Sequence, residues 1–435
     1  PIPKKGKFVI MIDANAVEPM PELDPDDGFW TQREVLAHIR DFARYRRANP
    51  YAVLGNVMRR AVACIEPNVV LPPIVGSVVS VNLYTASVGR SGQGKGVADG
   101  AGNDAVTFVN KDKLEIEIEH PNVGTGEGLA RLFKGRKNIG EEPPTRAHLV
   151  VPEVATLAAL AGRQGATLMS ELLKAFMGEP LGFTNNSQAT TTAIGAHTYR
   201  LSLGVGVQPE NAGFFLSREK DGFPQRFLWF PVTDPHAPEV RPPRVEPLVV
   251  EMPHFSAATR VWVDVPGTVT DEIDAFRHRV LIGDDTVDPI DGHLMLTRLK
   301  AAFALAILNG CNGINVDDWK IAGELIEVSK QVRIDLRAVL DERRRRENRE
   351  KALDAADREA IIATRLSEGN QQRVAQAITR KLERVGEATK RDLRMACDSS
   401  IRGDFDTVFG MFVDKAFITS CDVGDDQPQR FRLAA

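Results

Sequence analysis

Residues 87–98, SVGRSGQGKGVA, restrict the fold more than any other stretch of the chain. An apolar run rich in β-branched residues, VVLPPIVGSVVSVNLYTASVG, leads into them, and a small-residue run, KGVADGAGNDAV, follows. A strand that passes through a glycine loop straight into a helix belongs to an α/β layer fold. Gly89, Gly94 and Lys95 have the spacing Gly-x-x-x-x-Gly-Lys, with Ser91 and Gly92 inside it. In such a loop, backbone N–H groups wrap a chain of phosphates, the helix N-terminus adds positive potential, and the lysine reaches the terminal phosphates. ATP is the ligand this predicts, with Gly89, Ser91, Gly92, Gly94, Lys95 and Gly96 around it. Gly96 stands where a Ser or Thr hydroxyl ordinarily meets Mg2+. The plainer alternative is a strand–turn–helix with incidental glycines.

Nucleotide hydrolysis needs a carboxylate on a second strand. RAHLVVPEV supplies one at Glu153, suited to orient an attacking water, unless it is an ordinary strand-end acid. Pro152 takes the place of an Asp that would help hold Mg2+. Both customary protein contacts to the metal are therefore altered, and Mg2+ is expected to rely on water and substrate phosphates. TYRLSLGVGVQP reads as a strand ending at Gln208, either a sensor of the γ-phosphate or a strand cap. DGFPQRFLWFP sets Arg226 between a turn and an aromatic strand, where it suits transition-state charge in a neighbouring copy or simply caps the strand. Arg298, in LMLTRLKAAFALA, is a candidate phosphate contact or an exposed helix residue. Asp99, one turn past Lys95, has the spacing to replace the missing metal ligand.

At 435 residues the chain is too long for one ordinary core. Its 43% hydrophobic and 26% charged content is that of a soluble globular protein. A net charge of −4 gives no global attraction to nucleic acid or anionic membrane, so any such binding must come from local patches. Cys64, Cys311, Cys397 and Cys421 are scattered without a CxxC pair, which argues against disulfides or zinc and fits a cytoplasmic location. PIPKKGKFVIMIDANAVEP is a poor signal peptide, and the longest apolar tract is broken by Pro72, Pro73 and Asn82, so no membrane partner is expected.

Composition divides the chain further. Residues 1–70 read as an N-terminal helical region, with Asp26 and Asp27 as helix-start acids and Pro50 as a break. Residues 71–270 alternate short strands with helical pieces and form the predicted P-loop NTPase core. Residues 271–340 read as a helical lid, and 341–369 as a charged solvated helix or linker. Residues 370–435 read as a winged helix of three helices and a β-wing.

Four segments together resemble the helicase part of phage and mobile-element primase–helicases, P-loop ATPases of the AAA+/RecA-like group: NLYTASVGRSGQGKG, VVPEVATLAALAGRQGATLMSELLKAFMGEPLG, YRLSLGVGVQP and GFPQRFLWF. The segment LTRLKAAFALAILNGCNGINVDDWKIAGELIEVS is similar to the helical domain after the ATPase core of replicative AAA+ helicases. The resemblance covers roughly residues 25–340. It implies an ATP-dependent DNA helicase or translocase in phage or mobile-element replication, working as a homo-oligomeric, often hexameric, ring. It implies Lys95 as phosphate ligand, Glu153 as catalytic carboxylate, Gln208 as sensor and Arg226 as a finger acting in trans. The implied partners are single-stranded or forked DNA and a separate primase or initiator, since primase motifs are absent. Gly96 and Pro152 depart from the pattern. They favour the alternative of a nucleotide-switched DNA-binding initiator or loader with slow hydrolysis.

Two loops are candidates to face a central pore, or else are solvated surface: LFKGRKNIGEE, with Lys134, Arg136 and Lys137, and the hairpin-like TNNSQATTTAIGAHTYR. In the tail, basic residues exceed acids between Arg373 and Arg402, and Lys390, Arg391 and Arg394 are the expected phosphate contacts. The third tail helix carries Asp404, Asp406 and Asp414, which argues against base reading.

Overall fold

The computed structural model describes residues 28–122, 124–134, 142–183, 192–218, 221–287, 291–421 and 428–434. The chain forms two units, Pro1–Asp341 and Glu342–Ala435. The first opens with helices α1 (Glu34–Tyr45) and α2 (Pro50–Ala63). Pro50 starts α2 rather than ending a helix. The Asn49 side chain accepts from the N–H groups of Tyr51 and Ala52, and proline at the first helical position gives up only a donor that has no intrahelical partner. Strands β1 (Val69–Leu71), β2 (Val79–Ser80) and β3 (Tyr84–Val88) follow, and then α3 (Lys95–Ala105), β4 (Val106–Val109) and α4 (Gly126–Leu132). After these come β5 (Arg146–Val151), α5 (Val154–Ala161), α6 (Leu168–Met177), β6 (Leu181–Phe183), β7 (Thr192–Ile194) and β8 (Arg200–Val207). The unit continues with α7 (Gly213–Leu216), β9 (Phe227–Pro231), β10 (Leu248–Glu251), β11 (Val261–Trp262), α8 (Gly267–Leu281) and α9 (Leu294–Leu308).

The central sheet has the order β5-β8-β3-β9, and all its strands are parallel. Parallel strands need both faces covered. On one face, Leu201, Leu203, Val205 and Val207 of β8 pack with Leu172 and Phe176 of α6. On the other, Leu228 and Phe230 of β9 pack with α2, which sits in one core with α1, α3 and α9. The helices before residue 70 are thus, from Phe29 on, part of the same core as the sheet. The edge strand β9 is closed by the Ser329 hydroxyl, which accepts from the Trp229 N–H at 2.9 Å. At the other edge, the His148 N–H donates to Glu119 O at 2.8 Å.

Not every apolar run joins this sheet. KLEIEIE contributes only bridges, from Glu115 to Val109 and from Glu119 to Ala147. The runs around β11 and β10 pair with β1 and β4.

Helix α10 (Val316–Val385) replaces the expected lid helix, linker and first tail helix with 70 continuous helical residues. No proline interrupts residues 341–368, and their Glu, Lys, Arg, Ala and Leu content favours helix, with Arg343 paired to Glu347 at 2.8 Å. The second unit continues with β12 (Ala388–Thr389), α11 (Lys390–Ala396), α12 (Phe405–Asp414), β13 (Ile418–Cys421) and β14 (Arg430–Leu433). Thr389 and Asp392 close a capping box on α11. The three strands form an antiparallel sheet in the order β12-β14-β13 over a core of Val374, Ile378, Leu393, Phe405, Phe409 and Phe431. Among the described residues no helix is long and apolar enough to cross a membrane.

Candidate functional site

In a parallel sheet every strand delivers its following loop to the same edge, which is where ligands bind. Register places the loops after β3, β5 and β8 side by side there. Val88 is opposite Val207 and Val151 is opposite Val205, so Gly89 is level with Gln208, and Glu153 with Val207. The glycine loop leaves β3 with the Gly89 N–H bonded to Val207 O at 3.0 Å. Gly89 has no room for a side chain, since a Cβ would stand 2.1 Å from Val232 Cγ2. Gly92 (φ 80°) and Gly94 (φ 99°) are left-handed, a conformation glycine adopts without steric cost. Gly94 then caps α3, whose first residue is Lys95. The Gln93 side chain accepts from the Arg90 N–H at 2.6 Å and tightens the turn. Arg90 pairs with Glu210 at 3.5 Å, linking this loop to the turn after β8.

Lys95 folds back over its own loop. Its Nζ donates to Gly89 O at 2.8 Å and Arg90 O at 3.2 Å. Its stem passes Gly206 of β8, where a Cβ would lie 3.3 Å from Lys95 Cδ and 2.0 Å from Pro152 O. Gly206 therefore lets the lysine and the Pro152–Glu153 turn close over the end of one strand. The Glu153 carboxylate makes no cap to α5 and accepts from Gln208 Nε2 at 3.4 Å. Asn211 Nδ2 donates to Gln208 Oε1 at 2.6 Å, which turns the Gln208 amine toward Glu153. A cation, a carboxylate and an oriented amide thus share one solvent-facing edge with the N-terminus of α3.

Other expected site residues stand elsewhere. Arg226 precedes β9, whose Phe227 pairs with Tyr84, so it lies at the opposite edge of the sheet. Its Nη1 donates to Gly222 O at 2.5 Å, its guanidinium lies 5.8 Å from the Phe176 ring centroid, and burial lowers its pKa. Arg298 is occupied in helix packing. It pairs with Glu272 at 2.7 Å, donates to Trp319 O and stacks on the Trp319 ring at 3.9 Å. Asp99 accepts from Arg59 at 2.8 Å and from Asn56 at 3.1 Å, so it is tied to α2 rather than aimed at the loop. Lys134 follows α4, while Arg136 and Lys137 lie outside the described residues. β6 and β7 do pair as a hairpin, but residues 184–191 lie outside the described set. In the second unit Lys390 and Arg394 both pair with Asp406, at 2.9 and 3.5 Å, and Arg391 is exposed.

The donor set does not provide a metal cage. Gly96 and Pro152 have no ligating side chain, Asp99 is committed to Arg59, and the described residues contain no cluster of three or more His, Cys, Asp or Glu suited to a metal.

The residues not foreseen as part of this region are on α2 and β8. The α2 segment GNVMRRAVA is apolar except for Asn56, Arg59 and Arg60, spaced i, i+3, i+4 on one face. Polar groups on a buried helix were the available signal. Arg59 is fully buried, and burial lowers its pKa against the opposing pull of Asp99. Beside it on the sheet is His148, also buried. Burial first, and then the Arg59 charge, holds its pKa well below the ordinary histidine value. No protein-family description matches the chain, and no curated protein matches it.

Proposed function

We propose that the chain is a P-loop ATPase that moves or remodels DNA, working as a ring of copies. One observation carries this reading: Lys95, Glu153 and Gln208 meet at the Gly206 end of β8, beside a glycine loop that opens α3. The loop N–H groups would wrap the phosphates, and Lys95 would exchange its loop carbonyls for phosphate oxygens. One strand separates β3 from β5, so Glu153 stands about two strand spacings, ~10 Å, from the loop strand. That leaves room for a terminal phosphate and a water, which Glu153 would orient while Gln208 senses the phosphate. Mg2+ would be held by phosphates and water. Arg226 is left out of the catalytic set because its guanidinium is engaged inside its own subunit.

We read the second unit as a winged helix for single-stranded or forked DNA. Its three helices, antiparallel sheet and exposed Arg391, Arg430 and Arg432 support that. Gly96 and Pro152 favour a second reading, a nucleotide-switched initiator or loader with slow turnover.

Steady-state ATP hydrolysis, with and without single-stranded DNA, tests the proposal. Lys95→Ala is expected to abolish nucleotide binding. Glu153→Gln is expected to keep binding and to lower turnover about a hundredfold or more, the range of a lost general base. DNA-stimulated turnover lost in both variants supports the motor. Tight binding with little turnover, indifferent to Glu153→Gln, supports the switch. An unaffected Lys95→Ala removes the nucleotide site itself.

A further inference from the structure

We infer that Arg59 is a positioning residue for the glycine loop, and that α2 is the splint on which the nucleotide-binding helix is held; this rests on the nucleotide site proposed above. Helix α3 is poorly made to stand alone, because Gly96, Gly100 and Gly102 fall within its 11 residues. Its order must come from a neighbour, and α2 supplies it from one end to the other. Gly102 packs so close to Asn56 that a Cβ there would sit 2.7 Å from that side chain. Arg60 Nη1 donates to Gly102 O and Val106 O, both at 2.9 Å, and so satisfies carbonyls at the C-terminal end of α3. Asn56 and Arg59 both donate to Asp99, one turn after Lys95.

Arg59 does more than pair with a helix. Its Nη1 donates to Thr85 Oγ1 at 2.7 Å while Nη2 donates to Asp99 at 2.8 Å. Thr85 lies on β3 before the loop, and Asp99 lies on α3 after it. One rigid guanidinium therefore fixes the two arms of the loop relative to each other. A planar fork with donors on two nitrogens can do this, whereas a lysine ammonium is a single point at the end of a flexible stem. The sheet is cut away to admit it: a Cβ on Gly204 would lie 2.0 Å from Arg59 Nη1. The same strand is cut away again at Gly206 for Lys95. Arg59, a donor only, bonds to Thr85 and Asp99 rather than to the loop's N–H groups or to Lys95. It acts by setting the rotation and height of α3, and hence where Lys95 and the first N–H groups of the helix stand.

The test is equilibrium binding of mant-ATP with Mg2+ to the full-length protein at low temperature, with folding monitored alongside by thermal melts. Arg59→Met removes the fork. Gly204→Ala displaces it without deleting it, and Asp99→Asn removes the charge it holds on a partly exposed residue, so one of these remains informative if Arg59→Met does not fold. Each is expected to weaken binding in the folded protein, Arg59→Met by about tenfold or more, with Arg59→Lys not restoring it. A lower melting temperature with wild-type affinity would overturn the inference while leaving the nucleotide site standing. Failure of the wild-type protein itself to bind would remove the proposed site, and the inference with it.

Discussion

At position 206 a Cβ would stand 2.0 Å from the Pro152 carbonyl oxygen, and backbone cannot swing aside as a side-chain tip can. Gly206→Ala is therefore expected to lower stability by about 1–3 kcal/mol, the usual cost of overpacking, and to lower ATP turnover with it. Gly100, on α3, meets nothing within 4 Å. Gly100→Ala is expected to raise stability by up to about 1 kcal/mol, since it removes only the entropic cost of glycine in a helix. Urea midpoints for the two variants check this, and equal losses would contradict the packing at Gly206. A second residue-scale effect concerns buried histidines. His148 is held neutral by burial and by Arg59, and His293 is pushed down to about 4 by burial and by Arg226. An unfolded histidine titrates near ~6.5, so the unfolded chain binds more protons in this window. Stability from His293 is complete above pH ~6.5 and is lost as pH falls toward about 4, and His148 acts in the same direction. Melting temperatures across that range should drop more steeply for the wild-type protein than for His148→Phe.

Helices α3 and α11 show how one surface can be committed by another. The exposed face of α11 carries Lys390, Arg391 and Arg394, but Asp406 on α12 holds two of them. Asp406 has its own pKa lowered, first by the Lys390 hydrogen bond. All three side chains are about half exposed, so the pairs are weak and can be exchanged for phosphate. Asp406→Asn is expected to tighten binding to single-stranded DNA and to steepen its salt dependence, by up to about 0.7 in slope per phosphate gained. Fluorescence anisotropy at several salt concentrations reads both quantities. Unchanged affinity and slope would mean that α11 does not bind DNA.

At the scale of the molecule, each unit has its own closed core, Pro1–Asp341 around the parallel sheet and Glu342–Ala435 around Phe405, Phe409 and Phe431. Two cores do not unfold as one two-state system. A fragment of residues 342–435 is expected to fold by itself with a single cooperative melt, and the full chain to show a second transition. A fragment that stays unfolded would mean that the tail depends on the first unit.

The sequence by itself determined the pieces whose physics is local. The strand–loop–helix at 84–105, the strands ending at Val151 and Val207, and the last two tail helices with their hairpin all follow from periodicity, glycine placement and capping. The meeting of Lys95, Glu153 and Gln208 was legible because parallel strands must deliver their loops to one edge. Tertiary structure alone decided what each long charged side chain reaches. Arg298 reads as a phosphate contact and Arg226 as a finger acting in trans, yet Arg298 is held by Trp319 and Glu272, and Arg226 donates to Gly222 beneath the Phe176 ring. Asp99 has the spacing of a metal ligand but belongs to Arg59, a residue far away in sequence whose seat exists only because β8 has a glycine at 204. A flexible, many-rotamer side chain reports its partner only when distant segments are packed together, and no local pattern records that meeting.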